Sequence, residues 1–182
     1  MKNLRYISAQ GWHAPSFRFK NHSAHQFRSL IEAMTLNQAL LVSSMYRTDL
    51  LYFSEKNMNK PILKVWCLLT GNNYTDSLAQ KLLTGQGDQE VFELYFDSMS
   101  HLKLHDRYYK RYKTTLNEIF HLEPSNIILQ ELTQCDRFLA RMSTKSHDEE
   151  TLIDHPNERL AQPSMFHFIP LCNHYIRKPF DN

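Results

Sequence analysis

Apolar residues recur at three- and four-residue spacing along most of this chain, and the longest such run is residues 88–122, which hold neither Gly nor Pro. The pattern predicts one central helix of roughly 30 residues, about 45 Å long, with Asp88 as its N-cap. Residues 91–99 are apolar almost all round, as in a buried helix. Beyond them the helical wheel divides. His101, His105, Tyr108, Tyr112, Leu116 and Ile119 fall on an inner face. Lys103, Arg107, Lys110, Arg111 and, more obliquely, Lys113 fall on an outer one, with Asp106 the single acid among them.

Other segments carry helix punctuation. Ser23 and Gln26 form a capping box ahead of Phe27, Leu30, Ile31 and Met34. Thr35 and Gln38 repeat it, and Leu40, Leu41, Met45, Leu51 and Tyr52 read as the buried stripe of a continuing or second helix reaching residue 55. Pro61 suits the first turn of a helix that ends at Gly71. Thr75 caps a short helix over 76–84, and Gly85-Gln86-Gly87 is the turn before the central helix. That Gly-x-Gly has no strand before it, so it is not a phosphate loop. Pro124 opens a last helix with an apolar seam of Ile128, Leu132, Cys135, Leu139 and Met142.

The ends differ in character. Residues 1–22 read as an extended, basic lead-in with one short strand over 16–20, where Phe17 and Phe19 alternate with polar neighbours. From residue 144 the chain turns polar and is punctuated by Pro156, Pro163, Pro170 and Pro179. Phe166, Phe168, Tyr175 and Phe180 make this tail too apolar to stay solvated. It is expected to wrap back over the helices or to dock on a partner. The fold class expected is therefore all-α: a single helical domain of about six helices around the long central helix. It carries an extended N-terminal arm and an irregular, Pro-punctuated C-terminal wrap. The corresponding division is 1–22 as basic arm, 23–143 as helical core and 144–182 as the irregular segment packing on the core or on a partner.

Composition narrows the classes. The chain has 182 residues and only four Gly, which favours helices over turn-rich β structure. Cys67, Cys135 and Cys172 form no disulfide framework or zinc module, which points to a reducing, cytoplasmic setting. No apolar run is long enough to span a membrane, and residues 1–10 have no apolar h-region. Before Glu32 there is no acid, while Lys2, Arg5, Arg18, Lys20 and Arg28 are basic. This fits a transit peptide or, better, an ordered basic arm. Net charge is only +2, so any nucleic-acid footprint is local.

Three constellations could carry chemistry. The strip of Lys103, Arg107, Lys110, Arg111 and Lys113 beside Tyr108 offers cations for phosphates and a ring for bases. The plain alternative is a solvated face paired with acids such as Glu93 or Glu118. His101 and His105 stand at i, i+4, a spacing able to hold one metal ion. Nothing nominates a third ligand, and two core histidines bonded to neighbours is the simpler reading. His167, Cys172 and His174 crowd the tail, where incidental packing accounts for them. No carboxylate dyad stands out, and no cofactor is expected.

The function expected from sequence is a soluble, non-enzymatic binding protein, a regulator or adaptor. It would act on a protein through Phe166, Phe168, Tyr175 and Phe180, or on nucleic acid through the strip. A metal-dependent helical enzyme using His101 and His105 is the alternative. Heptad-like spacing of Val91, Tyr95, Leu102, Tyr109 and Leu116 permits a homodimer.

Overall fold

A computed structural model describes residues 3–20, 23–35 and 38–133. The chain divides into two units, residues 1–129 and 130–182, and the architecture that follows is that of the first. The expected seam beyond residue 133 and the whole C-terminal segment, including Phe166, Phe168, Cys172, His174, Tyr175 and Phe180, lie outside the described residues.

The fold is mixed α/β and not all-α. The elements run β1 (Leu4–Gln10), a 3-10 segment (Gly11–Phe17), α1 (Ser23–Met34), β2 (Ala39–Ser43), β3 (Arg47–Phe53), α2 (Asn59–Thr70), α3 (Asp76–Ala79), β4 (Leu83–Gln86), α4 (Asp88–Lys103) and α5 (Asp106–Leu122). The four strands form one antiparallel sheet in the order β2-β3-β1-β4. Setting aside the 3-10 segment and the single-turn α3, the elements β1, α1, β2, β3, α2 and β4 follow a split β-α-β arrangement of the ferredoxin-like type, with β1 and β3 central. Such a topology hosts unrelated functions and assigns none.

Register fixes two faces. Ile7, Ala9, Leu50, Tyr52, Ala39 and Leu41 face one way and pack with Phe17, Phe19 and Phe27, and with Ile62 and Trp66 from α2. The indole N–H of Trp66 donates to the Phe17 carbonyl at 2.9 Å, and its ring meets Phe17 edge-on at 5.5 Å. Tyr6, Ser8, Arg47, Asp49 and Leu51 alternate with these residues and so face the other way, where Tyr112 of α5 reaches Asp49.

Strands β2 and β3 are invisible to periodicity because they carry no half-buried alternation. Every residue of β3 is buried, and all of β2 but Ser43. An apolar run buried on both faces looks the same as a buried helix segment. The expected arm is likewise no arm: β1 is a central strand paired on both edges. No strand forms over 16–20: the 3-10 segment ends at Phe17, and residues 18–20 run on without regular structure.

Residues 88–122 form two helices, not one. Leu104 and His105 donate to carbonyls three residues back, at 3.2 and 2.9 Å, and His105 leaves helical geometry at φ −114°, ψ 74°. The reason is directional. α4 buries Val91, Phe92, Tyr95, Phe96, Ser98 and Met99, while α5 buries Tyr112 and Leu116. On one straight helix these stripes would point about 100° apart, so a break is needed for both to meet the core. A rod of about 50 Å would also overhang a four-stranded sheet roughly 15–19 Å across. The N-cap of α4 is Gly87 at φ 85°, and Asp88, one residue on, accepts the Leu4 N–H at 3.4 Å.

Elsewhere local signals match the structure. α1 begins at Ser23, α2 ends in left-handed Gly71 (φ 77°), and the Thr75 hydroxyl accepts the Leu78 N–H at 3.0 Å at the head of α3. α3 is shorter than expected, because Leu83–Gln86 is recruited as the edge strand β4.

Candidate nucleic-acid interface

α5 is anchored on one side and open on the other. Tyr112 and Leu116 are buried at 0% and 3% exposure, which fixes the helix's rotation. Arg107, Lys110 and Arg111 are exposed, as is Lys103 at the end of α4, and Lys113 is half-buried. Residues 101–113 hold five Lys or Arg against the single Asp106. That is a local net +4 on a chain whose total is +2, so the remainder is net negative. Asp106 engages Lys110 at 2.7 Å. Among the described residues no carboxylate pairs with Lys103, Arg107 or Arg111, and neither Glu93 nor Glu118 reaches them. Arg107 and Arg111 stand one turn apart, about 6 Å along the axis.

The tertiary fold adds aromatic groups from distant sequence. The β2–β3 turn places Tyr46 against Tyr108, ring centroids 3.6 Å apart and tilted by 35°. The contact with Tyr46, ahead of desolvation, raises the Tyr108 pKa against the opposing pull of Arg107. The Gly11 N–H donates to the Tyr46 carbonyl at 3.2 Å, so the next residue, Trp12, also sits at this end of the sheet. Trp12 is 97% exposed. Leu104, at the helix break, is 79% exposed, and Met45, in the turn, 43%. Trp12 and Tyr46 were missed from sequence. The available signal was a Trp beside Gly11 and His13 in a stretch without helical periodicity.

The histidine pair is not held as expected. His101 is in the last turn of α4, and His105 is the residue at which helical geometry stops. The continuous helix that would align them at i, i+4 ends between them. Both are exposed rather than core-facing, and His101 lies 4.0 Å from Asp97. Among the described residues no group of three or more His, Cys, Asp or Glu is close enough to hold a metal ion.

Behind α5 lies a buried polar cluster that ties the helix to the sheet. Asp49 accepts from Tyr6 at 3.0 Å and Ser8 at 2.5 Å on one carboxylate oxygen. On the other it accepts from the Arg47 Nε at 2.6 Å and from the Tyr112 hydroxyl. The Arg47 Nη2 donates to the Tyr6 hydroxyl at 3.0 Å, and its guanidinium carbon lies 5.1 and 5.0 Å from the Tyr95 and Tyr112 ring centres. The Arg47 Nη1 has no hydrogen-bond partner among the described residues. Burial works against the Arg47 charge, yet Asp49 and the surrounding tyrosines hold its pKa above the usual value. Burial, ahead of Asp49, pushes the Tyr6 and Tyr112 hydroxyls well up, and burial does the same to Tyr95. The arrangement is sealed from solvent, with Asp49 at 0% and Arg47 at 2% exposure. It therefore serves as a structural pin.

No helix of the described residues is long and apolar enough to cross a membrane. Comparison with family models, with curated proteins and with solved structures finds no match. The class the fold defines is a four-stranded split β-α-β sheet whose second face is closed by a broken helix pair, α4 and α5. Function rests on the chemistry of the surface alone.

Proposed function

We propose that this chain is a non-enzymatic nucleic-acid-binding protein that holds a phosphate backbone along the outer face of α5. The observation that carries the reading is the exposed, acid-free pair Arg107 and Arg111 on a helix fixed from behind by Tyr112 and Leu116. Guanidinium groups bind phosphate oxygens bidentately. A rigid helix presents them without the ordering cost of a mobile arm. The remainder of the chain is net negative, so the attraction is local rather than global.

Fluorescence anisotropy with a labelled oligonucleotide over a range of salt concentrations tests it. Contacts from Lys103, Arg107 and Arg111 give a slope of log affinity against log salt of about −2 for a single strand. Arg107→Glu with Arg111→Glu should abolish most of the binding and flatten that slope. Absence of binding at low salt, or binding that ignores both substitutions, would return the strip to a solvated face.

A further inference from the structure

Trp12 is the anomaly of the surface. A Trp side chain carries the largest apolar area of any residue and is rarely left in water without a partner. Here it is 97% exposed on a 3-10 turn, and Leu104 and Met45 at the neighbouring α5 terminus and β2–β3 turn are exposed as well. The turn is no loose tip. Gly11 is bonded to the Tyr46 carbonyl, Ala14 and Phe17 of the same segment are buried, and the Tyr46 ring lies tilted against Tyr108. A tied-down turn thus presents an open indole one residue from its bond to Tyr46, and Arg107 immediately precedes Tyr108, the ring that Tyr46 meets.

We infer that Trp12, with Tyr46 and Tyr108, is a base-stacking platform that makes the partner a single-stranded nucleic acid. The inference rests on the phosphate-binding role of α5 and names the substrate class of that same surface. Cations alone bind single and double strands alike, because both present phosphates. An exposed aromatic face discriminates, because only unpaired bases can leave their stack to lie on it. DNA and RNA strands share this chemistry.

The experiment uses the full chain and its own fluorescence. Of the two tryptophans, Trp66 is fully buried, so quenching by an added oligonucleotide reads Trp12. The probes are an oligothymidylate and an oligouridylate of about 15 nucleotides, within the site sizes of single-strand binders, and a duplex of equal length. Binding is followed in parallel by anisotropy. The expected result is quenching by the single strands and none by the duplex. Trp12→Ala should weaken single-strand binding by about 5- to 150-fold, the effect of one lost stack, with duplex affinity unchanged. Single-strand binding that depends on Arg107 and Arg111 but neither quenches Trp12 nor responds to Trp12→Ala would overturn the platform and leave the phosphate strip standing. Equal quenching by strand and duplex would also overturn it. Failure of every probe to bind at low salt would overturn both readings.

Discussion

Asp49 is the residue on which the second face of the sheet depends. Its two oxygens take four donors, from β1, β3 and α5. Asp49→Ala removes the only carboxylate among the described residues that pairs with Arg47, leaving an uncompensated charge at 2% exposure. The expected loss is roughly 3–5 kcal/mol, measured by urea unfolding. Tyr112→Phe keeps the ring against Arg47 and removes one hydrogen bond to a charged acceptor, so about 1.5–3 kcal/mol is expected. A loss as large as that of Asp49→Ala would contradict this division of roles. Neither role was legible in the sequence. The spacing of Leu40, Leu41, Met45, Leu51 and Tyr52 puts Arg47, Thr48 and Asp49 on the polar side of a helix, and only partners 41 to 63 residues away bring Arg47 and Asp49 into a buried cluster.

At the scale of the element, two glycines carry structural demands. Gly71 ends α2 at φ 77°, where a β-carbon is strained. Gly71→Ala should lower stability by about 1 kcal/mol, read as a shifted urea midpoint with unchanged slope. At Gly85 the demand is space. A β-carbon there would lie 2.9 Å from the Leu94 side chain and 3.4 Å from that of Val91. Gly85→Val therefore forces β4 away from α4 and should cost about 1–3 kcal/mol. A stable Gly85→Val would mean that this edge strand is not held against α4. The first glycine was legible as a helix stop because its signal is local. The second was read as part of a turn, because the close approach that requires it comes from a different element. The same distinction explains the central run. Helical spacing predicted helix throughout residues 88–122 and was silent on the break at Leu104 and His105, which exists because α4 and α5 must aim their stripes at the same sheet.

For the whole molecule, the tyrosines set an alkaline limit. Burial raises the pKa of Tyr6, Tyr52, Tyr95 and Tyr112. The folded state keeps these protons where the unfolded chain, with an ordinary tyrosine pKa of about 10, releases them. The stabilisation is fully present below about pH 10 and falls as pH rises toward the raised values. The loss is about 1.4 kcal/mol per pH unit for each such hydroxyl. Urea midpoints measured from about pH 8 to about pH 11.5 should be flat and then drop steeply. A midpoint that stays level through that range would show these hydroxyls to be solvated.

The sequence by itself determined what depends on neighbours a few residues apart. The presence of α1, the presence of α2 with its stop at Gly71, the Thr75 cap and the basic side of α5 all follow from spacing of three and four and from residues that satisfy a helix end locally. Only the tertiary structure decided the rest. Strands β2 and β3 are buried on both faces, so their pattern carries no period until partners are assigned. Whether Arg47 and Asp49 are surface or core, whether residues 88–122 bend, and that Trp12 and Tyr46 come to the head of α5 are all set by contacts far apart in the chain. Such contacts arise from which apolar faces must be covered at once, and that condition is not written in any one segment.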